Sequence, residues 1–237
     1  MKINGILIDY GGTIDTNGVH WFRVFAEQYA SAGIAVDEAL LRAAYIYAER
    51  QLEQHSTLIN VSDTFREVLQ RKITYQFDYL SQHSRGFQAG RQEQEQLTTA
   101  CDDFAQYKVQ KSAQTLALLA EKYPLVLVSN FYGNLQAVIA AYGIAAYFKT
   151  VIESAKVGVR KPNAEIFRLG IQYLDRPAQE ILVIGDTFKN DIAPALSLGC
   201  KTVWLKGQGW DTEEDTAAEQ RATIIINNME ELVNILV

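Results

Sequence analysis

The sequence predicts an α/β protein in which a doubly wound parallel sheet of the Rossmann type carries an inserted helical segment. Two observations predict it. After about Ser112, short apolar runs alternate with amphipathic segments to the end of the chain, as in parallel sheets covered by helices on both faces. Between about Val19 and Tyr107, by contrast, the apolar residues recur at helical spacing and no strand-like alternation interrupts them.

The first strand is the apolar run Ile6-Leu7-Ile8, and it leads directly into Asp9-Tyr10-Gly11-Gly12-Thr13. A buried strand of this kind delivers Asp9 to the carboxyl edge of the sheet, where open α/β folds bind their ligands. An aspartate before two glycines is also a common turn, so this pattern alone does not assign a function.

The inserted segment reads as several helices, two of which show a clear apolar face. Gly86 and Gly90 indicate a loop. The polar run 91–96 that follows is better interpreted as the solvated face of another helix than as a low-complexity segment. The two apolar faces consist of Phe22, Phe25, Ala26 and Tyr29, then Leu40, Leu41, Ala44 and Ala48.

The second half supplies the remaining strands and their crossover helices. We therefore predict a core domain of residues 1–15 and 108–237, and a helical cap domain of residues 16–107. The predicted strands are Leu125–Val128, Phe148–Ile152, Ile181–Ile184, Thr202–Leu205 and Ala222–Ile226, and the predicted helices are Asn134–Tyr142, Ala164–Tyr173, Asp191–Leu198 and one from about Met229.

Composition excludes several classes of function. The chain has 237 residues, 48% of them hydrophobic and 21% charged, which is an ordinary globular balance. No apolar stretch approaches the roughly 20 residues that span a bilayer, and no secretory signal pattern is present. The net charge of -6, without a basic run, disfavours nucleic acid. We expect a cytoplasmic protein with free thiols at Cys101 and Cys200, and its oligomeric state stays open.

Four motifs follow one another along the predicted core. They are Asp9 after the first strand, Ser129-Asn130 after the second, Lys161-Pro162, and Gly185-Asp186 with Asp191. Each residue alone has an ordinary structural interpretation: Ser129 and Asp191 as helix caps, and Lys161 as a surface lysine before a turn proline. In this order they resemble the four motifs of the haloacid dehalogenase-like hydrolase superfamily. The resemblance runs from residue 9 to 191, and the helical insertion fits the cap of that family.

The resemblance implies a nucleophile and a metal site. Asp9 would attack the phosphorus of a phosphate ester and become an aspartyl phosphate. Asp9, Asp186 and the backbone carbonyl of Gly11 would bind Mg²⁺, which prefers such oxygen ligands. Asp191 would support the metal through water or anchor the lysine of the third motif.

It also implies a site for the transferring phosphoryl group. Ser129 and the backbone amide of Asn130 would hold phosphoryl oxygens, together with the turn residues Gly12 and Thr13. Lys161 would neutralise the charge that develops during transfer. A helical lid over this edge favours a small phosphorylated molecule over a protein substrate.

One position departs from the family pattern. Phosphatases of this superfamily carry a second aspartate where this chain has Gly11, and that aspartate acts as general acid and base. A positioned acid contributes about 10²- to 10⁴-fold to the rate. His20 and Asp15 are the nearest substitutes in sequence, although a hinge polar group and a helix cap are the better interpretations of them.

Three alternatives to a phosphatase remain. Phosphonate-cleaving relatives also have a small residue at this position but need a cap lysine for an imine; the one available, Lys72, is more often solvent-facing in such a segment. Haloacid-cleaving relatives have a tyrosine there, whereas here Tyr10 lies one place early. A weak or inactive relative that only binds a phosphorylated ligand is the third. The leading prediction is a Mg²⁺-dependent phosphatase acting on a small metabolite.

Overall fold

A six-stranded parallel sheet forms the centre of the protein, as the sequence predicts. The structure is a computed structural model that describes residues 2–55, 58–209 and 216–237. The strand order is β3-β2-β1-β4-β5-β6, and three of its strands are buried along their whole length. The strands are β1 (Gly5–Ile8), β2 (Leu125–Ser129), β3 (Phe148–Glu153), β4 (Ile181–Gly185), β5 (Lys201–Leu205) and β6 (Ile224–Ile226).

The strand order reverses direction at β1. From β1 the chain moves outward through β2 to β3 and then crosses to β4 on the other side of β1. Ligands of open α/β sheets bind at such a switch point, outside the carboxyl ends of the strands. Asp9 follows β1 there, and Asp186 follows β4.

In the described part of the chain, four α-helices lie between β1 and β2, and shorter ones follow the later strands. Asp37 caps α2 through Ala39 and Leu40, and Thr64 with Glu67 forms a capping box on α3. The helices are α1 (Trp21–Ser31), α2 (Glu38–Gln54), α3 (Phe65–His83), α4 (Arg91–Lys122), α5 (Leu135–Ala141), α6 (Ser154–Val157), α7 (Glu165–Leu174), α8 (Ala193–Ser197), α9 (Thr216–Glu219) and α10 (Glu231–Leu236).

The connection from the inserted helices back to the sheet differs from the sequence prediction. The predicted boundary between Tyr107 and Lys108 falls inside α4, which runs without interruption for 32 residues. The hydroxyl of Ser112 in this helix donates a hydrogen bond to the carbonyl of Ile14, 3.0 Å away. The change of pattern near Ser112 therefore marks where α4 begins to pack beside the sheet.

One apolar core joins the inserted helices to one face of the sheet. It contains Phe22 of α1, Leu97 of α4 and Ile6 of β1, all of them fully buried. A second cluster lies on the other face, between the sheet and α7. Both cysteines are buried free thiols. Within the described ranges, no helix is long and apolar enough to cross a bilayer.

The predicted helix Asp191–Leu198 begins differently in the structure. Residues Phe188–Ile192 form a π-helical turn, and α8 follows it from Ala193. The backbone amide of Asp191 donates to the carbonyl of Thr187, 2.8 Å away. Single π turns of this kind are frequent at functional sites, and here the turn carries Asp191 into the sheet edge.

Candidate active site

The carboxyl edge of the sheet brings the four sequence motifs together. Asp9 follows β1, Ser129 is the last residue of β2, and Asp186 follows β4. Lys161 comes from the loop between α6 and α7 and reaches the same point. Asp9, Ser129, Lys161 and Asp191 are buried in the folded chain, whereas Asp186 is half-buried.

Three donors hold the carboxylate of Asp9. One oxygen, Oδ1, accepts hydrogen bonds from Lys161 Nζ at 2.5 Å and from Ser129 Oγ at 3.1 Å. The other, Oδ2, accepts one from Thr13 Oγ1 at 3.2 Å. Hydrogen bonds to both oxygens, one of them from a charged donor, fix the direction of a carboxylate. Asp9 is thus an oriented carboxylate at the end of a rigid strand.

Lys161 lies between two carboxylates. Its Nζ atom is 2.5 Å from Asp9 and 2.6 Å from Asp191 Oδ1, and the residue is 4% exposed. Burial opposes its charge, but Asp191 and Asp9 outweigh burial and raise the pKa of Lys161 above its ordinary value. The side chain is therefore a fixed ammonium ion, available to a transferring phosphoryl group.

The side chain of Asn130 positions the loop that carries Lys161. Its Oδ1 atom accepts from the Lys161 backbone amide at 2.8 Å, and its Nδ2 atom donates to the Lys161 carbonyl at 3.1 Å. The Lys161–Pro162 peptide bond is cis. The sequence prediction used only the backbone amide of Asn130 and missed this role, for which an amide side chain directly after β2 was the available signal.

Three carboxylates crowd one point of the edge. One oxygen each from Asp9, Asp186 and Asp191 lies within 4.8 Å of the other two. Burial, then Asp191 and Asp9, raises the pKa of Asp186 well above its ordinary value. Burial raises the pKa of Asp191 to about 6, partly offset by Lys161.

The Asp186 carboxylate has no hydrogen-bond or ion-pair partner among the described residues. Its backbone carbonyl accepts from Trp204 Nε1 at 2.8 Å, but no donor reaches its side-chain oxygens. Three carboxylates this close together repel one another when ionised unless a cation neutralises them. The donor set, all hard oxygen atoms, fits Mg²⁺.

The two glycines of the turn are not equivalent. Gly12 has a φ of +85°, and a Cβ atom there would lie 2.3 Å from Asp186 Oδ2, so the backbone must stay bare to pass the acidic cluster. Gly11 does not have a positive φ, and a Cβ atom there would meet nothing within 4 Å. Position 11 therefore has room for a side chain that the chain does not carry.

A cavity of about 490 Å³ opens above this turn. Gly11, Gly12 and Asp186 form its floor. Lys72 lines its opposite side, and the expectation that this lysine faces solvent is wrong. The residue is 5% exposed and its Nζ atom lies 2.6 Å from Glu49 Oε1. The amphipathic spacing of α3 could not reveal this, because the ion pair joins two helices.

His20 and Asp15 also line the cavity, each held by backbone or indole donors. His20 Nδ1 accepts from the Phe22 amide at 3.1 Å and caps α1, and burial lowers the pKa of His20 to about 4. Its ring is therefore neutral, with the proton on Nε2. Asp15 accepts from the Gly12 amide at 2.7 Å and from Trp21 Nε1 at 2.8 Å, and burial raises the pKa of Asp15 to about 7.

Tyr10, considered for the dehalogenase alternative, does not face the cavity. It is fully buried, and its ring packs edge-on against Phe131 with centroids 5.7 Å apart. Its position one place before Gly11 turns it to the opposite side of the chain, into the core that the sheet shares with α4. A tyrosine in this position therefore cannot replace a side chain at residue 11.

Comparison with known proteins gives one family. The sequence model of the haloacid dehalogenase-like hydrolases matches residues 3–199. The chain is 32% identical over 102 residues to the 5-amino-6-(5-phospho-D-ribitylamino)uracil phosphatase of Escherichia coli, covering 43% of this chain and 41% of that one. It is 38% identical over 95 residues to the glyceraldehyde 3-phosphate phosphatase of Methanocaldococcus jannaschii, covering 40% of each.

A solved structure shares the whole fold. A magnesium-bound HAD hydrolase from Bacillus subtilis superposes with a TM-score of 0.61 at 19% identity, over 100% of this chain and 99% of that one. The curated relatives, by contrast, are matched over less than half of their length. The likeness therefore establishes the fold over the full chain and a sequence relationship over part of it.

Proposed function

The chain belongs to the haloacid dehalogenase-like hydrolase family, and we propose that it hydrolyses the phosphate ester of a small metabolite with Asp9 as nucleophile. The observation that carries this proposal is the state of the Asp9 carboxylate. Lys161, Ser129 and Thr13 hold it in one orientation beside the unpartnered carboxylate of Asp186. The phosphatase relatives support the choice of ester.

Asp9, Asp186 and the carbonyl of Gly11 would hold Mg²⁺, with Asp191 at its side. When bound, the cation supplies positive charge that neutralises the phosphoryl oxygens and the carboxylates around them. The chain provides the other positive charge through Lys161, which lies 2.5 Å from the nucleophile. Gly12 keeps the turn clear of Asp186, so that the metal ligands converge.

The reaction divides into two displacements. A carboxylate oxygen of Asp9 attacks phosphorus, the bond to the leaving oxygen breaks, and an aspartyl phosphate remains. Lys161 and the Ser129 hydroxyl, which now contact Asp9, are placed to hold phosphoryl oxygens during this step. Water then attacks phosphorus and releases inorganic phosphate, which regenerates the Asp9 carboxylate.

No described side chain near Gly11 is a ready general acid. Neutral His20 has a pKa of about 4, so almost none of it is protonated at neutral pH. Burial raises the pKa of Asp15 to about 7, so part of it is protonated at neutral pH, but its two oxygens already accept hydrogen bonds from the Gly12 amide and Trp21 Nε1, which hold the carboxyl group in place. Leaving groups that need little protonation should therefore react best. Aryl and acyl phosphates have such leaving groups, and alkyl phosphates do not.

A screen of phosphate esters with Mg²⁺ tests the proposal. Wild-type protein should release phosphate from at least one ester well above an Asp9→Asn control, and EDTA should abolish this release. Because asparagine is isosteric with aspartate, the control keeps the packing of the site while removing the nucleophile and its negative charge. Equal release by both proteins across the panel would leave a phospholigand-binding relative as the function.

Phosphonate cleavage is a second candidate, supported by the place of Lys72. This lysine lines the cavity that Gly11 also lines, as an imine-forming lysine would need. Its contact with Glu49 opposes the role, because an ammonium ion paired with a carboxylate is not a nucleophile. Borohydride trapping with an aldehyde-bearing phosphonate decides between ester hydrolysis and phosphonate cleavage. A covalent adduct at Lys72 that is absent from the Lys72→Met variant would favour phosphonate cleavage.

A further inference from the structure

We propose that Lys72 and Glu49 make this cavity select phosphate esters whose leaving group is uncharged and rich in hydroxyl or carbonyl oxygens. The inference rests on the proposed function for the position of the phosphate, at the floor of the cavity, and it concerns the affinity for the ester, not the rate at which its leaving group departs. It concerns the opposite side, formed by helices α1 to α3. The pair lies on neighbouring helices, with Glu49 on α2 and Lys72 on α3.

Lys72 has hydrogen-bond donors to spare. An ammonium group carries three N–H donors, and Glu49 Oε1 is its one hydrogen-bond partner among the described residues. The Nζ atom otherwise faces the rings of Phe25, Tyr45 and Tyr132, whose centroids lie 5.7–6.0 Å away. Buried donors without acceptors are costly, so a ligand oxygen at this point would be bound favourably.

Glu49 cancels the charge of Lys72, and both of its carboxylate oxygens already accept a hydrogen bond. Its Oε1 atom accepts from Lys72 at 2.6 Å and its Oε2 atom accepts from the Tyr132 hydroxyl at 2.7 Å. Burial opposes its charge, but Lys72 and Tyr132 outweigh burial and lower the pKa of Glu49. The carboxylate thus stays ionised, and the pair presents N–H donors with no net charge.

The other charges on this side of the cavity are balanced too. Arg160 forms an ion pair with Glu53, the residue one helical turn after Glu49. His20 is neutral, because burial lowers its pKa to about 4. Among the described lining residues no positive charge above the floor is left without a carboxylate partner. A leaving group with its own carboxylate or phosphate would lose its hydration here without a counter-charge.

The inference is tested by binding, separately from turnover. Ribitol 5-phosphate and 5-phosphoribonate share a five-carbon skeleton and differ at the far end, a hydroxymethyl group against a carboxylate. Calorimetry with Mg²⁺ and the Asp9→Asn protein measures both affinities without hydrolysis. We expect ribitol 5-phosphate to bind at least about tenfold more tightly, which corresponds to about 1.4 kcal/mol.

Two variants in the Asp9→Asn background should change the ratio of the affinities for ribitol 5-phosphate and 5-phosphoribonate, and the direction of each change identifies the residue that causes the preference. Glu49→Gln keeps size and hydrogen bonding but leaves Lys72 uncompensated, so the preference should shift about tenfold or more toward 5-phosphoribonate. Lys72→Met should weaken ribitol 5-phosphate about tenfold. Lys111→Met, on the exposed face of α4 outside the cavity, is the matched control and should keep the ratio.

Three results would overturn the inference. They are equal or tighter binding of 5-phosphoribonate by the parent protein, an unchanged ratio in Glu49→Gln, and no measurable binding of ribitol 5-phosphate. The Glu49→Gln result decides even if Lys72→Met fails to fold. If selectivity is as expected but wild-type protein hydrolyses no ester, the proposed function fails and the subsite stands.

Discussion

At the residue scale, the site depends on what two adjacent glycines do and do not carry. Gly12 must lack a side chain, because a Cβ atom would collide with the Asp186 carboxylate. Gly11 also lacks a side chain, although a Cβ atom there would meet no other atom within 4 Å and the φ angle of this residue is not positive. The bare backbone at Gly12 lets the turn pass close to the acidic cluster, and under the proposed function the bare Gly11 leaves no side chain there that could act as general acid.

Restoring an acid at position 11 should widen the range of esters hydrolysed. Gly11→Asp is expected to raise kcat/KM on alkyl phosphates by about 10²-fold, and on aryl phosphates by much less, because only the alkyl leaving oxygen needs a proton. Steady-state rates on a matched alkyl and aryl pair measure this. Gly11→Asn, with similar volume and no acid, is the control, and an equal gain from it would show that packing and not proton transfer limits the rate.

A second prediction at the residue scale concerns the acidic cluster of Asp9, Asp186 and Asp191. Asp186→Ala should abolish Mg²⁺ binding by calorimetry and remove the rise in Tm that Mg²⁺ causes in the wild type. In EDTA the variant should be at least as stable as wild type, because it removes one of three crowded carboxylates. Asp78→Ala, on the exposed face of α3, should bind Mg²⁺ normally. Undiminished Mg²⁺ affinity in Asp186→Ala would remove this residue from the metal site.

At the element scale, α2 connects the helical segment to the sheet edge. Glu49 accepts from Tyr132, which follows β2, and Glu53 pairs with Arg160, next to the site lysine. Both contacts lie on one face of α2, one turn apart. We propose that residues 16–107 act as a lid that closes on the cavity, with these contacts made in the closed form. Because α4 is continuous, we expect the turn at residues 15–18, which is mostly buried in this form, to be the connection that opens when the lid opens.

Closure should protect that turn from proteolysis. With Mg²⁺ and a phosphate analogue, cleavage at residues 15–18 should slow several-fold relative to the ligand-free protein, measured by mass spectrometry of limited digests. Arg160→Ala, which removes one contact of α2, should reduce this protection. Unchanged cleavage while ligand binding is demonstrated would argue against a moving lid. No second protected site is expected near Lys108, because that residue lies within a helix.

At the scale of the whole molecule, the inserted helices and one face of the sheet share a single apolar core. Leu116 of α4 is fully buried in it, in the same cluster as Leu125 of β2 and Leu97 near the other end of α4. A helix that packs against both parts couples their stabilities, so the two should unfold together.

Removing buried volume from α4 should destabilise both parts together. Leu116→Ala is expected to lower the free energy of unfolding by about 2–5 kcal/mol, as for other buried leucines. Leu118→Ala, two residues away and 37% exposed, should cost about 0.5 kcal/mol or less. Urea unfolding followed by far-UV circular dichroism and by tryptophan fluorescence should give one coincident transition. Two separate transitions would contradict a shared core.

The fold and the motif residues were accessible from the sequence because their signals are local. Buried parallel strands read as apolar runs, and Asp9, Ser129 and Asp186 each stand at the end of such a run. Since parallel strands end at one edge, their meeting point follows from strand direction alone. The order of the motifs, and not any single one, indicated the family.

Only the tertiary structure decided the features that depend on contacts between distant segments. Lys72 lies in the cavity because Glu49, 23 residues away, pairs with it, and helical periodicity cannot report such a contact. Asn130 holds the Lys161 backbone across 31 residues. The protonation states of His20 and Asp15 follow from burial, which the assembled fold sets. The sequence by itself determined which groups reach the sheet edge, while packing determined their partners, their charge and the space beside them, because these depend on long-range contacts.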